Sequence, residues 1–197
     1  MGKRQTDIDT VSFAKNLGTF TPSLATMPCP CGDRTFCGDL DIRISADGTW
    51  YYNATPINRP EMVQLFASML KLDEEGRHWL VTPTEIGRIE VEDAPFTVVD
   101  VHVSGDAQDQ VLSFSTNVED VVCVAPETPI IMDTSPVTGQ LTPYAMIGEG
   151  LKAKIGRSVY YELVELGQTA DVKGTKMFGL WSSGAFFPLG PIDSADA

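Results

Sequence analysis

The chain has 197 residues, 43% of them hydrophobic, enough for one large domain or two of about 100 residues each. Its net charge is −13, and no run of about 18 or more apolar residues occurs, so no membrane-spanning helix is expected. Residues 89–151 carry eleven of the 27 acidic side chains and none of the 14 basic ones, which leaves no Lys/Arg patch for DNA or RNA and reads as a solvated acidic surface.

The start, Met-Gly-Lys-Arg-Gln-Thr-Asp, lacks the apolar stretch of a secretory signal, and the four cysteines form no evident disulfide framework. The expected location is therefore cytoplasmic. Residues 7–17 have the pattern of a short amphipathic helix, with Ile8, Val11, Phe13, Ala14 and Leu17 apolar and Gly18 as its stop. Residues 19–30 form a Pro/Thr/Ser-rich connector. Cys29-Pro-Cys31-Gly-Asp-Arg-Thr-Phe-Cys37 follows. Zinc takes four ligands, usually from close pairs, and a fourth here would come from distant Cys123, His78 or His102. These sulfurs read as ordinary buried or loop cysteines, with a metal site or a redox pair as the alternatives. No metal and no cofactor are expected.

Asp39-Leu-Asp-Ile-Arg-Ile44 alternates polar and apolar, the mark of a half-buried strand. Asp39, Asp41 and Arg43 then share a polar face while Leu40, Ile42 and Ile44 face the core. Asp47-Gly48 predicts a turn, with residues 49–52 returning as a hairpin. Pro60 opens a helix predicted to end near Leu72. Strands are predicted at 78–82, 88–91, 96–103, 111–115, 121–124, 130–132 and 151–155, with a closing hairpin over 178–189 and a tail at 193–197.

The first helix has a second copy. Ile57-Asn-Arg-Pro-Glu-Met-Val-Gln-Leu-Phe66 aligns without gaps on Ile155-Gly-Arg-Ser-Val-Tyr-Tyr-Glu-Leu-Val164, which pairs Arg59 with Arg157 and Leu65 with Leu163. A turn and a Trp-bearing strand follow each copy. The expectation is an α+β fold of two related halves, each one helix on an antiparallel sheet. Its parts are an N-terminal helix and connector (1–36), a first α+β domain (37–92), a second (93–192) and a tail (193–197).

Several stretches together resemble the family of domains of unknown function numbered 1285. They are Cys37-Gly-Asp-Leu-Asp-Ile-Arg-Ile44, Asp47-Gly-Thr-Trp50, Pro56-Ile57 with Arg59, Met62-Val63, Leu65-Phe66, Val81-Thr-Pro83 with Glu85, and Val91-Glu-Asp-Ala-Pro-Phe96. Val159-Tyr-Tyr-Glu-Leu-Val-Glu165 and Gly179-Leu-Trp-Ser182 extend the likeness into the second half. The resemblance implies a bacterial protein built by domain duplication, with a second half superficially like a pleckstrin-homology fold. It also implies a cleft between the halves for a nucleotide-like ligand in signal transduction. The Cys29-Pro-Cys31 element departs from the family pattern.

Enzyme signatures are otherwise missing. There is no Gly-x-Ser-x-Gly elbow, phosphate loop, Gly-x-Gly-x-x-Gly or His-Glu-x-x-His. The favoured reading is a non-catalytic protein that binds a small anionic, nucleotide-like ligand. Arg59 and Arg157, each leading into a helix, would hold the anion. Trp50, Tyr52 and Tyr160 would stack on a ring, and Thr82, Glu85 and Asp93 would supply hydrogen bonds. The competing reading for the arginines is pairing with local acids, Arg59 with Glu61 or Asp93. Alternatives for the whole protein are a hydrolytic or metal-dependent enzyme using Asp39, Asp41, Glu85 or Asp93, and a protein–protein adaptor.

Overall fold

Alternation of side chains across strands organises this chain far more than any helical stripe. The computed structural model describes residues 35–192; the helix and connector expected before them, Cys29, Cys31 and the tail lie outside that range. Strands make up 54% and helices 14% of the described residues. In chain order the strands are β1 (Thr35–Ile44), β2 (Trp50–Tyr52), β3 (Thr55–Pro56), β4 (Leu70–Leu72), β5 (His78–Val81), β6 (Glu85–Val91), β7 (Phe96–Ser104) and β8 (Val111–Thr116). They continue with β9 (Val121–Cys123), β10 (Ile130–Thr134), β11 (Leu141–Ile147), β12 (Leu151–Ile155), β13 (Gln168–Val172), β14 (Thr175–Ser182) and β15 (Ala185–Pro191). Helix α1 (Pro60–Ser68) joins β3 to β4, and α2 (Arg157–Leu166) joins β12 to β13.

The expected α+β fold of two helix-on-sheet halves is overturned. Most of each aligned stretch is helical, from Pro60 in α1 and from Arg157 in α2, while Ile57 and Ile155 precede the helices. The sheets around them differ, however. The first six strands form one sheet in the order β3-β2-β1-β6-β5-β4, so α1 connects its two edges. The next six form β10-β11-β12-β7-β8-β9 with a parallel β12–β7 pair, and α2 leaves that sheet for a separate one, β13-β14-β15. The pleckstrin-homology-like second half implied by the resemblance fails on the same topology. The physical reason is burial. Helix α1 fully buries only Ala67, and α2 only Val159 and Leu163. Strands instead supply the large enclosed side chains Ile44, Trp50, Leu70, Ile86, Phe114, Tyr144 and Leu180.

Helix α1 also stops earlier than predicted. Leu70-Lys71-Leu72 leaves the helix to pair antiparallel with His78–Leu80, exchanging one helical turn for a sheet edge. Hairpin turns follow their residues more closely. Lys173-Gly174 and Ser183-Gly184 both have positive φ, as two-residue turns between twisted strands require.

The described residues divide into two units, 35–43 with 51–90, and 44–50 with 91–192. The tip of the β1–β2 hairpin thus belongs to the second unit. Within it, Asn117 Nδ2 donates to the Gly48 carbonyl at 3.1 Å, and the Ala46 N–H donates to Glu92 Oε2 at 3.0 Å. Gly48 has φ +85°, and a Cβ there would lie 2.8 Å from both Asn117 Nδ2 and Thr97 Oγ1. Gly48→Ala is therefore expected to cost about 1–3 kcal/mol, read as a lower urea midpoint with an unchanged slope. An unaltered midpoint would mean that the tip shifts freely.

Candidate functional site

In the first unit the pleat of β1 sorts its residues as alternation demands. Leu40 and Ile42 face the side where Gly87 of β6 makes room for the Leu40 side chain; a Cβ on Gly87 would lie 2.4 Å from Leu40 Cγ. Helix α1 supplies Met62 and Phe66 to the same side, and Leu80 of β5 and Ile57 complete an apolar groove of about 570 Å³. Tyr52, Thr82, Cys37 and Glu85 also line it. Among the described residues Glu85 is its one charged side chain. Thr82 belongs to the turn joining β5 to β6: its Oγ accepts the Glu85 N–H at 2.8 Å and donates to the Glu85 carbonyl at 3.0 Å. That turn fixes the backbone from which the Glu85 carboxylate projects.

A second, more open concavity of about 690 Å³ carries the polar residues Asp39, Asp41, Arg43, Tyr51, Asn53, Arg88 and Glu90. Arg88 grips Asp39 with two bonds, Nε–Oδ1 at 2.5 Å and Nη2–Oδ2 at 2.8 Å, a bidentate pair. That hydrogen bonding holds the Asp39 carboxyl below its ordinary value. The Arg43 guanidinium lies 4.4 Å from the centre of the Tyr51 ring, a cation–π contact. Asp39 and Asp41 thus both line the polar concavity, with the Asp39 carboxylate taken up by Arg88.

In the second unit Asp93 has a fully buried side chain and three donors. Lys154 Nζ lies 2.6 Å from its Oδ2, the Tyr144 hydroxyl donates to Oδ1 at 2.6 Å, and the Ser135 hydroxyl donates to Oδ2 at 3.0 Å. Burial pushes the Asp93 carboxyl up, but these bonds outweigh it and hold it below the usual range. The same enclosure and the bond to Asp93 push the Tyr144 hydroxyl up to about 12. Lys152, on the same face of β12 as Lys154, pairs with Asp133 and lies 5.5 Å from the Tyr144 ring centre. Each cation already has its acid, so this is a bracing network. The partners of Asp93 were not predicted from sequence; the one available signal is that Lys152 and Lys154 are the first cations after the stretch that has none.

The other expected site residues scatter. Trp50 is 1% exposed, so its ring offers no face to a ligand. Arg59 flanks α1 in the first unit, and Arg157 opens α2 in the second; both are exposed. Tyr160 is half-buried with its ring 6.5 Å from that of Tyr161. Tyr52, Thr82 and Glu85 are the expected residues that come together. Among the described residues no three His, Cys, Asp or Glu side chains are placed to hold a metal ion. No described helix is long and apolar enough to cross a membrane. On the exposed face of β7 and β8, His102 Nε2 lies 3.4 Å from both Asp100 Oδ2 and Ser115 Oγ. Acid and hydroxyl meet the same nitrogen, so His102 cannot relay a proton from one to the other as a triad histidine does.

Comparison with known proteins gives two family matches. "Domain of unknown function (DUF1285), N-terminal domain" matches residues 29–94, and "Protein of unknown function (DUF1285), C-terminal domain" matches residues 95–189. Their boundary falls beside Asp93. The crystal structure of a DUF1285 family protein from Silicibacter pomeroyi DSS-3 is similar at 46% identity and a TM-score of 0.73, covering 85% of this chain and 91% of that one. Another, from Shewanella baltica OS155, has 29% identity and a TM-score of 0.51, covering 64% and 91%. No curated protein shows significant similarity to the chain.

Proposed function

The chain belongs to the DUF1285 family, and on that footing we propose that it is a non-catalytic ligand-binding protein whose site is the groove of the first unit. The observation that carries this reading is a concavity of about 570 Å³, walled by α1 and the sheet, with an apolar lining and few polar groups. Small-molecule sites commonly have that size and make-up. Tyr52, Thr82 and Glu85, expected from sequence to touch a ligand, all line it. An anionic, nucleotide-like ligand finds no support here, because among the described residues no Lys or Arg lines the groove. The acids of the enzyme alternative are divided: Asp39 and Asp41 lie in the polar concavity, Glu85 in the groove, and Asp93 in the second unit.

The test is an NMR titration of the full chain with a panel of small apolar compounds. Binders should shift the amides of Leu40, Met62, Phe66 and Leu80, and at about 100 times Kd should add about 2.7 kcal/mol of stability. Met62 is 38% exposed on α1, so Met62→Trp fills the groove without crowding the core and should abolish those shifts. A panel without binders, or shifts confined to other residues, would overturn the assignment.

A further inference from the structure

We propose that this groove takes a small organic cation, a molecule with an apolar body and an alkylammonium head. The inference rests on the binding role proposed above and names its ligand class. Leu40, Leu80, Met62 and Phe66 give the body an apolar bed. Among the described residues the lining has charge of one sign only, from Glu85. An anionic group placed there would meet that carboxylate with no Lys or Arg among the described lining residues to offset it. Among the described residues Glu85 also makes no ion pair, so none of their cations takes up its charge. Tyr52 adds a second, independent feature. Its side chain lines the same groove and is 56% exposed, which leaves the ring open to an ammonium. A carboxylate and an aromatic face beside an apolar bed are the groups that recognise alkylammonium ions. The net charge of −13 favours the approach of a cation further.

The test uses three probes of equal chain length, each below its aggregation concentration: octyltrimethylammonium, octanol and octyl sulfate. They are titrated by calorimetry into the full chain and into Glu85→Gln and Met62→Trp. Octyltrimethylammonium should bind about tenfold more tightly than octanol, and Glu85→Gln should remove that preference while leaving the octanol affinity in place. The substituted carboxylate has no partner among the described residues, and the turn is held by the Glu85 backbone, so the variant should fold as the parent does. Equal affinity for all three probes, or tighter binding of octyl sulfate, overturns the cation assignment. If that binding is also lost in Met62→Trp, the groove remains the site. Absence of binding by every probe, or binding unaffected by Met62→Trp, overturns the groove itself.

Discussion

Asp93→Ala is expected to lower the unfolding free energy by about 3 kcal/mol, among the largest losses available from one side chain. The substitution removes a fully buried carboxylate and leaves three donors facing the space: the Lys154 ammonium, the Tyr144 hydroxyl and the Ser135 hydroxyl. Unmet donors cost about 1–3 kcal/mol each when truly enclosed, but the Lys154 side chain is 25% exposed and can turn partly to water. The loss therefore falls near the lower end of the range for breaking a buried pair. Lys154→Met placed on top of Asp93→Ala should restore part of the loss, because it takes away the stranded charge. Urea unfolding of the single and double variants checks both statements. A single-variant loss under about 1 kcal/mol, or no recovery in the double variant, would show that the network does not brace the fold.

A pH-dependent loss of similar size is expected from His78. It begins β5, half-buried between Leu72 of β4 and Ile89 of β6. Burial pushes its imidazole down to about 4, with the nearby Asp73 charge opposing the shift. The folded value lies below the unfolded one of about 6.5, so between the two the unfolded chain binds the extra proton. Stability from this group is complete above about pH 6.5 and falls as the pH drops towards 4. The expected loss is about 2–3 kcal/mol, allowing for the part of the ring that water reaches. Asp73 behaves differently. Burial raises its carboxyl, but bonds from the Trp79 indole, the Arg77 N–H and the Arg77 guanidinium outweigh that and hold it low. Its contribution is lost only as the pH falls below the ordinary carboxylate value of about 3.9, so the two windows are separate. Unfolding midpoints for the parent and His78→Gln at about pH 7.5, 6 and 4.5 isolate the histidine term. The parent should weaken across the series and the variant should stay nearly level. Parallel slopes would remove His78 as the cause.

Local features of the fold were legible wherever neighbours along the chain decide them. The alternation in Asp39-Leu-Asp-Ile-Arg-Ile44 marked β1 and sorted its two sides correctly, Asp47-Gly48 marked the hairpin, and Pro60 marked the start of α1. Besides the short β3 and β4, two longer strands gave no readable signal. β11 contains Pro143, which interrupts a strand pattern, and β13 alternates among mostly polar residues. The repeated helix was legible as a helix, yet its sheet partners were not. Whether the helix of a ten-residue match rests on one sheet or passes between two depends on strand pairings between distant residues, such as β12 with β7.

The site followed the same division. Asp93 stood out in sequence, but its partners lie 42, 51 and 61 residues away, and only folding reveals that they enclose it. Tyr52, Thr82 and Glu85 were named from their residue types. Leu40, Met62, Phe66 and Leu80 were not, because an apolar residue lining a groove and one filling a core obey the same spacing rule along the chain. What separates them is whether another element packs against them, and that is settled by the tertiary structure alone.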